Sequence, residues 1–152
     1  MRNIKYAIFI ISLLMMMTFS LSSQATSDKY PVESSTIRSA VTFFFNTYEN
    51  TGMAGAQEAV RSCFDKIDIL GEFKYIAYCI AMDFAGFVFD QEVSKKEHFP
   101  PTEYFSKNNM MGRYVKILNW RGLNREEANI FGNKLQSIAE PIIMKKMYRE
   151  HH

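Results

Sequence analysis

The chain has 152 residues, 47% of them hydrophobic, and 18 Lys plus Arg stand against 16 Asp plus Glu. One domain is expected at this length, and 13 Phe, 8 Tyr and 10 Met suffice for a sizeable core. So even a charge balance excludes the basic stripe of a nucleic-acid-binding protein, and the two cysteines lack the other ligands of a zinc site.

The first segment reads as an export signal. Arg2 and Lys5 form a positive start, Ala7 to Phe19 is an apolar run, and Ser23 and Ala25 place small residues at a cleavage site. The expected organisation is a signal peptide over 1–25 and a single helical domain over 26–152. An uncleaved anchor is the alternative, but the run is short and ends in a small, polar motif. Cleavage removes two cations and no acid, so the formal charge falls from +2 to zero. The mature chain is then expected to have no membrane segment.

Residues 26–33 are polar and carry Pro31, as a loose arm would. Ser34 or Ser35 can cap a first helix from Thr36 to Asn50. Its apolar positions Ile37, Ala40, Val41, Phe44, Phe45 and Tyr48 follow helical spacing. Gly52 and Gly55 predict a break. A second helix is predicted from Ala56 to Ile69, with Ala56, Ala59, Val60, Cys63, Phe64 and Ile67 inward. Asp68 to Gly71 reads as a tight connection.

The stretch from Phe73 to Glu92 is apolar on nearly every side and predicts a central buried helix over about 71–92. Phe73, Ile76, Ala77, Ile80, Phe84, Phe87 and Val88 make its expected stripe, with Tyr75, Cys79, Met82 and Phe89 on the flanks. Cys63 and Cys79 can come level across the hairpin, and two cysteines in an exported chain predict one disulfide. Two buried free thiols are the other reading. The spacing excludes a Cys-x-x-Cys redox site.

Val93 to Pro101 reads as a polar break, since two consecutive prolines forbid helix. Glu103 to Lys107 suits a short helical turn interrupted at Asn108 and Asn109. Met110 to Asn119 predicts another helix, with Tyr114, Ile117 and Leu118 inward, ended by Trp120, Arg121 and Gly122. Asn124 to Glu127 is a capping-box signature for the last helix. Ala128, Phe131, Leu135, Ile138, Ala139, Ile142 and Ile143 form its stripe, with a kink expected at Pro141 and fraying from Lys145. The fold class is all-α: a compact bundle of about five helices around the central one, with one disulfide joining helices two and three.

Chemistry is scarce. Asp83 and Asp90 share a helix face and could do acid–base work, but they read better as polar exits, solvated or bonded to a neighbouring helix. His98 lies alone in a loop, and His151 with His152 ends the sequence. No catalytic residue, cofactor site or metal site is expected. The stretch Lys95 to Phe105 places aromatics in a Pro-stiffened polar loop, which suits recognition because little entropy is lost on binding. Lys95, Lys96, Glu97, His98, Phe99, Glu103 and Tyr104 are the candidate partner-binding residues. The other reading is a plain connection whose aromatics fold back on the core.

Two segments, Gly55 to Phe64 and Tyr78 to Ala85, together with the looser Tyr104–Phe105 and Arg113, resemble small all-helical periplasmic immunity proteins of type VI secretion. Those proteins neutralise peptidoglycan amidases. The resemblance implies a periplasmic, non-enzymatic inhibitor of a secreted cysteine amidase, often a homodimer, that blocks the substrate groove with a loop. Lys95 to Phe105 is the candidate loop for that role. The alternative is an exported adaptor or chaperone-like module, expected to expose Met110, Met111, Met144 and Met147. A small enzyme would need Asp83 or Asp90 in a cleft.

Overall fold

In the computed structural model, which describes residues 30–67 and 71–149, every regular element is helical. The elements are α1 (Ser34–Asp65), α2 (Phe73–Glu97), a 3₁₀ turn (Glu103–Phe105), α3 (Lys107–Trp120) and α4 (Arg125–Arg149). The predicted signal peptide and the terminal histidines lie outside the described residues, as does most of the Asp68–Gly71 connection.

Helices one and two of the sequence reading are joined in α1, so among the described residues four α-helices stand where about five were expected. The break was placed well nonetheless. Gly52 has φ 69° and ψ −172°, a conformation without helical geometry that suits a residue lacking Cβ. The helix simply resumes on the far side. Its start also differs: Glu33, not Ser34 or Ser35, occupies the N-cap, and both serines lie inside the first turn. The Glu33 carbonyl accepts from the Ile37 amide at 3.1 Å. Lys74, 3.1 Å away at the start of α2, bonds the Glu33 carboxylate and holds it below the usual carboxylate range. Val32, placed in the loose arm, is buried.

α2 touches every other element and is the axis of the fold. Its most deeply buried face overlaps the predicted stripe only at Ile76, Ala77 and Ile80. Cys79, Met82 and Phe89, expected on the flanks, are buried, whereas Phe84, Phe87 and Val88 are half-buried. A helix apolar on all sides gives no moment to fix its rotation. The neighbours decide it: α1 covers the Cys79–Met82–Phe89 side, and α4 packs at the other end through Phe73 and Phe131, 5.1 Å between rings. Cys63 and Cys79 form the expected disulfide, with Cα atoms 5.6 Å apart. It links the second limb of α1 to α2.

The core is aromatic. Phe44 lies edge-on to Phe45, Phe89 and Phe105 at 5.6, 6.2 and 6.0 Å, and Tyr48 meets Phe89 at 4.4 Å. Tilted pairs of this kind add about 0.5–1.5 kcal/mol each beyond area burial. Phe105 reaches this cluster because Gly86 has no side chain; a Cβ there would come within 2.2 Å of the ring edge.

The remaining helices are set by their ends. α3 begins earlier than predicted, with Ser106 as N-cap accepting from the Asn109 amide, so Asn108 and Asn109 form its first turn and interrupt nothing. Its C-terminus is a Schellman motif: Gly122 has φ 78°, its amide bonds Asn119, and the Leu123 amide bonds Leu118. Leu118 and Leu123 are both buried behind it. Asn124 and Glu127 make the predicted reciprocal capping box, each amide bonding the other's side chain at 2.9 Å. α4 runs unbroken through Pro141 and stays helical to Arg149, past the predicted fraying point at Lys145. Ala128, Phe131, Leu135, Ala139 and Ile143 of its stripe are buried.

Candidate partner-binding site

The end of α2 differs from its sequence reading, and the difference reshapes the candidate loop. The helix does not stop at Glu92 but continues to Glu97. Lys95, Lys96 and Glu97 therefore sit on the last helical turn, with Lys95 bonded to Glu92 at 2.7 Å. Two lysines here complement the negative end of the helix dipole. His98 ends the helix in the left-handed region at φ 59°. Non-glycine residues seldom adopt this conformation, and it turns the chain sharply outward. Phe99, Pro100 and Pro101 then form an exposed tip, with Phe99 71% exposed.

The return limb is fastened tightly. Asp90, buried on α2, accepts from the Thr102 amide and the Thr102 hydroxyl, both at 2.8 Å. Glu103 to Phe105 make one 3₁₀ turn, and the Asn109 side chain bonds the Glu103 carbonyl at 2.7 Å. Phe105 is fully buried against Gly86.

Arg113 of α3 completes the bracing. Its Nε and terminal nitrogen grip the two oxygens of Asp83 at 2.8 and 2.7 Å, and the same nitrogen donates to the Tyr104 carbonyl at 2.8 Å. Its guanidinium also lies 3.9 Å from the centre of the Tyr104 ring. Paired, planar contact of this kind needs arginine.

The pair is electrostatically lopsided. Burial pushes the Asp83 carboxyl up, against the pull of Arg113. Burial also opposes charge on Arg113, but the bond and attraction to Asp83 outweigh it and hold the guanidinium above its usual value. The Asp83 side chain is 3% exposed and that of Arg113 20%, so desolvation weighs more on the acid. Bonds to both oxygens require the ionised carboxylate, and the arrangement is an ion pair. Burial also raises the Tyr104 phenol.

Of the two aspartates, both are thus bonded to a neighbouring element rather than solvated. Among the candidate residues, His98 and Phe99 make the tip, Glu103 and Tyr104 its braced return limb, and the first three belong to α2. Phe105 folds back on the core, as a plain connection would have it, while Phe99 stays exposed. Sequence reasoning gave no structural role to Arg113 and did not pair Thr102 with Asp90. The available signal was the pair of acids on an apolar helix, since buried charges demand partners.

Searches of family models, curated proteins and solved structures return no match to this chain. Among the described residues there is no group of His, Cys, Asp and Glu that could hold a metal ion, and no helix long and apolar enough to cross a membrane. The disulfide is compatible with an oxidising, exported compartment.

Proposed function

We propose that this chain is a periplasmic immunity-type protein that binds a secreted cell-wall amidase and blocks its substrate groove with the tip at Phe99. The observation that carries the reading is a large aromatic, 71% exposed, on a tip stiffened by two prolines and braced by Asp90. An exposed phenylalanine in water is unfavourable for the isolated molecule, and bracing it lowers the entropy lost on docking. The disulfide-stapled helical body agrees with the resemblance of Gly55–Phe64 and Tyr78–Ala85 to such inhibitors.

The exposure of methionines gives the adaptor reading little. Met110 is buried, Met144 and Met147 are half-buried, and Met111 alone of the four is exposed. The acids of the enzyme reading are engaged by Arg113 and Thr102.

The test is inhibition of purified secreted peptidoglycan amidases, beginning with any that the flanking genes encode. Equimolar protein is expected to abolish the activity of its target. Phe99→Ala should weaken inhibition about tenfold or more, the scale of an anchor residue, without lowering the melting temperature. Full hydrolase activity in the presence of excess protein would overturn the proposal. Size-exclusion chromatography with light scattering tests the homodimer that the resemblance implies.

A further inference from the structure

On the far side of Tyr104 from the core, the ends of α1 and α3 enclose an open cleft of about 460 Å³. Its walls include Arg61, Asp65, Tyr104, Lys116, Ile117 and Trp120. The hydrogen-bonding groups there are mostly donors. The Lys116 ammonium, the Trp120 indole N–H and the Tyr104 hydroxyl have no hydrogen-bond partner among the described residues. Arg61 lies 5.6 Å from the Tyr104 ring and has one ion pair, to Glu58 in the same helix at 3.1 Å with both side chains at least half exposed. Such a pair is weak and exchanges readily for another carboxylate. Arg113 also lines the cleft, but Asp83 behind it takes up its charge. That leaves Lys116 and Arg61 against Asp65, with Ile117 and the 43% exposed Trp120 as an apolar wall.

A surface rich in unpartnered donors, with an aromatic and an aliphatic wall, fits a ligand that offers acceptors around an apolar side chain. We propose that this cleft docks an acidic segment of a partner protein, with carboxylates meeting Lys116 and Arg61 and an apolar side chain against Trp120 and Ile117. Tyr104 lines this cleft and lies in the 3₁₀ turn that follows the Phe99 tip. The inference therefore adds a second contact to the surface read above as partner-binding. It takes only the protein nature of its ligand from that reading.

The sequence contains one tryptophan, so indole fluorescence reports on the cleft alone. The full-length oxidised protein is titrated with a capped peptide carrying two carboxylates around a leucine, and with the isostere in which both are amides. The acidic peptide is expected to give a saturable Trp120 signal, to bind about fivefold or more tightly than the amide form, and to weaken as salt is raised. The double variant Arg61→Glu, Lys116→Glu, both at exposed positions, should lose that preference while retaining its melting temperature. Equal binding of the two peptides, tighter binding of the amide form, no signal at all, or an unchanged preference in a folded double variant would each overturn the inference. These outcomes are separate from the hydrolase test: a cleft that ignores the acidic peptide leaves inhibition through Phe99 intact, and an inert Phe99 leaves the peptide titration intact.

Discussion

Asp83 sits almost without solvent in the most apolar of the described helices, and one guanidinium makes that tolerable. Removing one member of such a pair leaves a stranded charge, which typically costs more than the pair itself contributes. Asp83→Ala should lower the unfolding free energy by about 3 kcal/mol in urea titrations. Adding Arg113→Leu to that variant should recover part of the loss, because the orphaned cation goes with it. Additive destabilisation by the two changes would mean that the pair is not the unit. Tyr114 offers a second test at this scale. Its hydroxyl donates to the Ala128 carbonyl, tying α3 to α4, and burial pushes its phenol up to about 12. The folded state thus favours the neutral phenol. The stability it contributes is fully present below the ordinary value near 10.0 and is lost as pH rises through about 12. Ultraviolet titration should show a tyrosine ionising near 12 that is missing from Tyr114→Phe, and the variant should lose less stability between pH 10 and 12.

Among the elements, α1 and α3 contain glycines with opposite meanings. Gly52 holds φ 69° with open space where a Cβ would go, so alanine meets no neighbour and only backbone strain. Gly112 lies exposed inside α3, also with open space, and has no such dihedral. Gly52→Ala should destabilise by about 1–2 kcal/mol, and Gly112→Ala should stabilise by about 0.5–1 kcal/mol. Thermal melts of the two single variants check both signs. Local grammar of this kind was legible: the Gly52 break, the Asn124–Glu127 box and the Gly122 stop all follow from side-chain chemistry within a few residues. The N-cap of α1 was misplaced because Ser34 and Ser35 are also acceptable inside a first turn. The end of α2 was misplaced because Ser94 to Glu97 are polar. A solvated last turn looks like a loop when the sequence is read for burial.

For the molecule as a whole, the Cys63–Cys79 link closes a loop with a sequence separation of 16. Cross-linking at that span restricts the unfolded chain by about 3 kcal/mol in the chain-entropy model. Reduction should therefore lower stability by about that amount while leaving the helical circular dichroism at neutral pH largely unchanged. A melting temperature that does not respond to reductant would show that packing alone holds α1 on α2.

What the amino-acid order determined unaided was the helical class, the positions of most helices and the pairing of the sulfurs. These depend on periodicity and on chemistry between near neighbours. The tertiary structure alone decided which side of α2 is deepest, that Arg113 answers Asp83 across 30 positions and Thr102 answers Asp90 across 12, and that Phe105 goes in while Phe99 stays out. An all-round apolar helix has no preferred rotation of its own. Its rotation, and every contact that follows from it, is set by the shapes of the helices that pack against it.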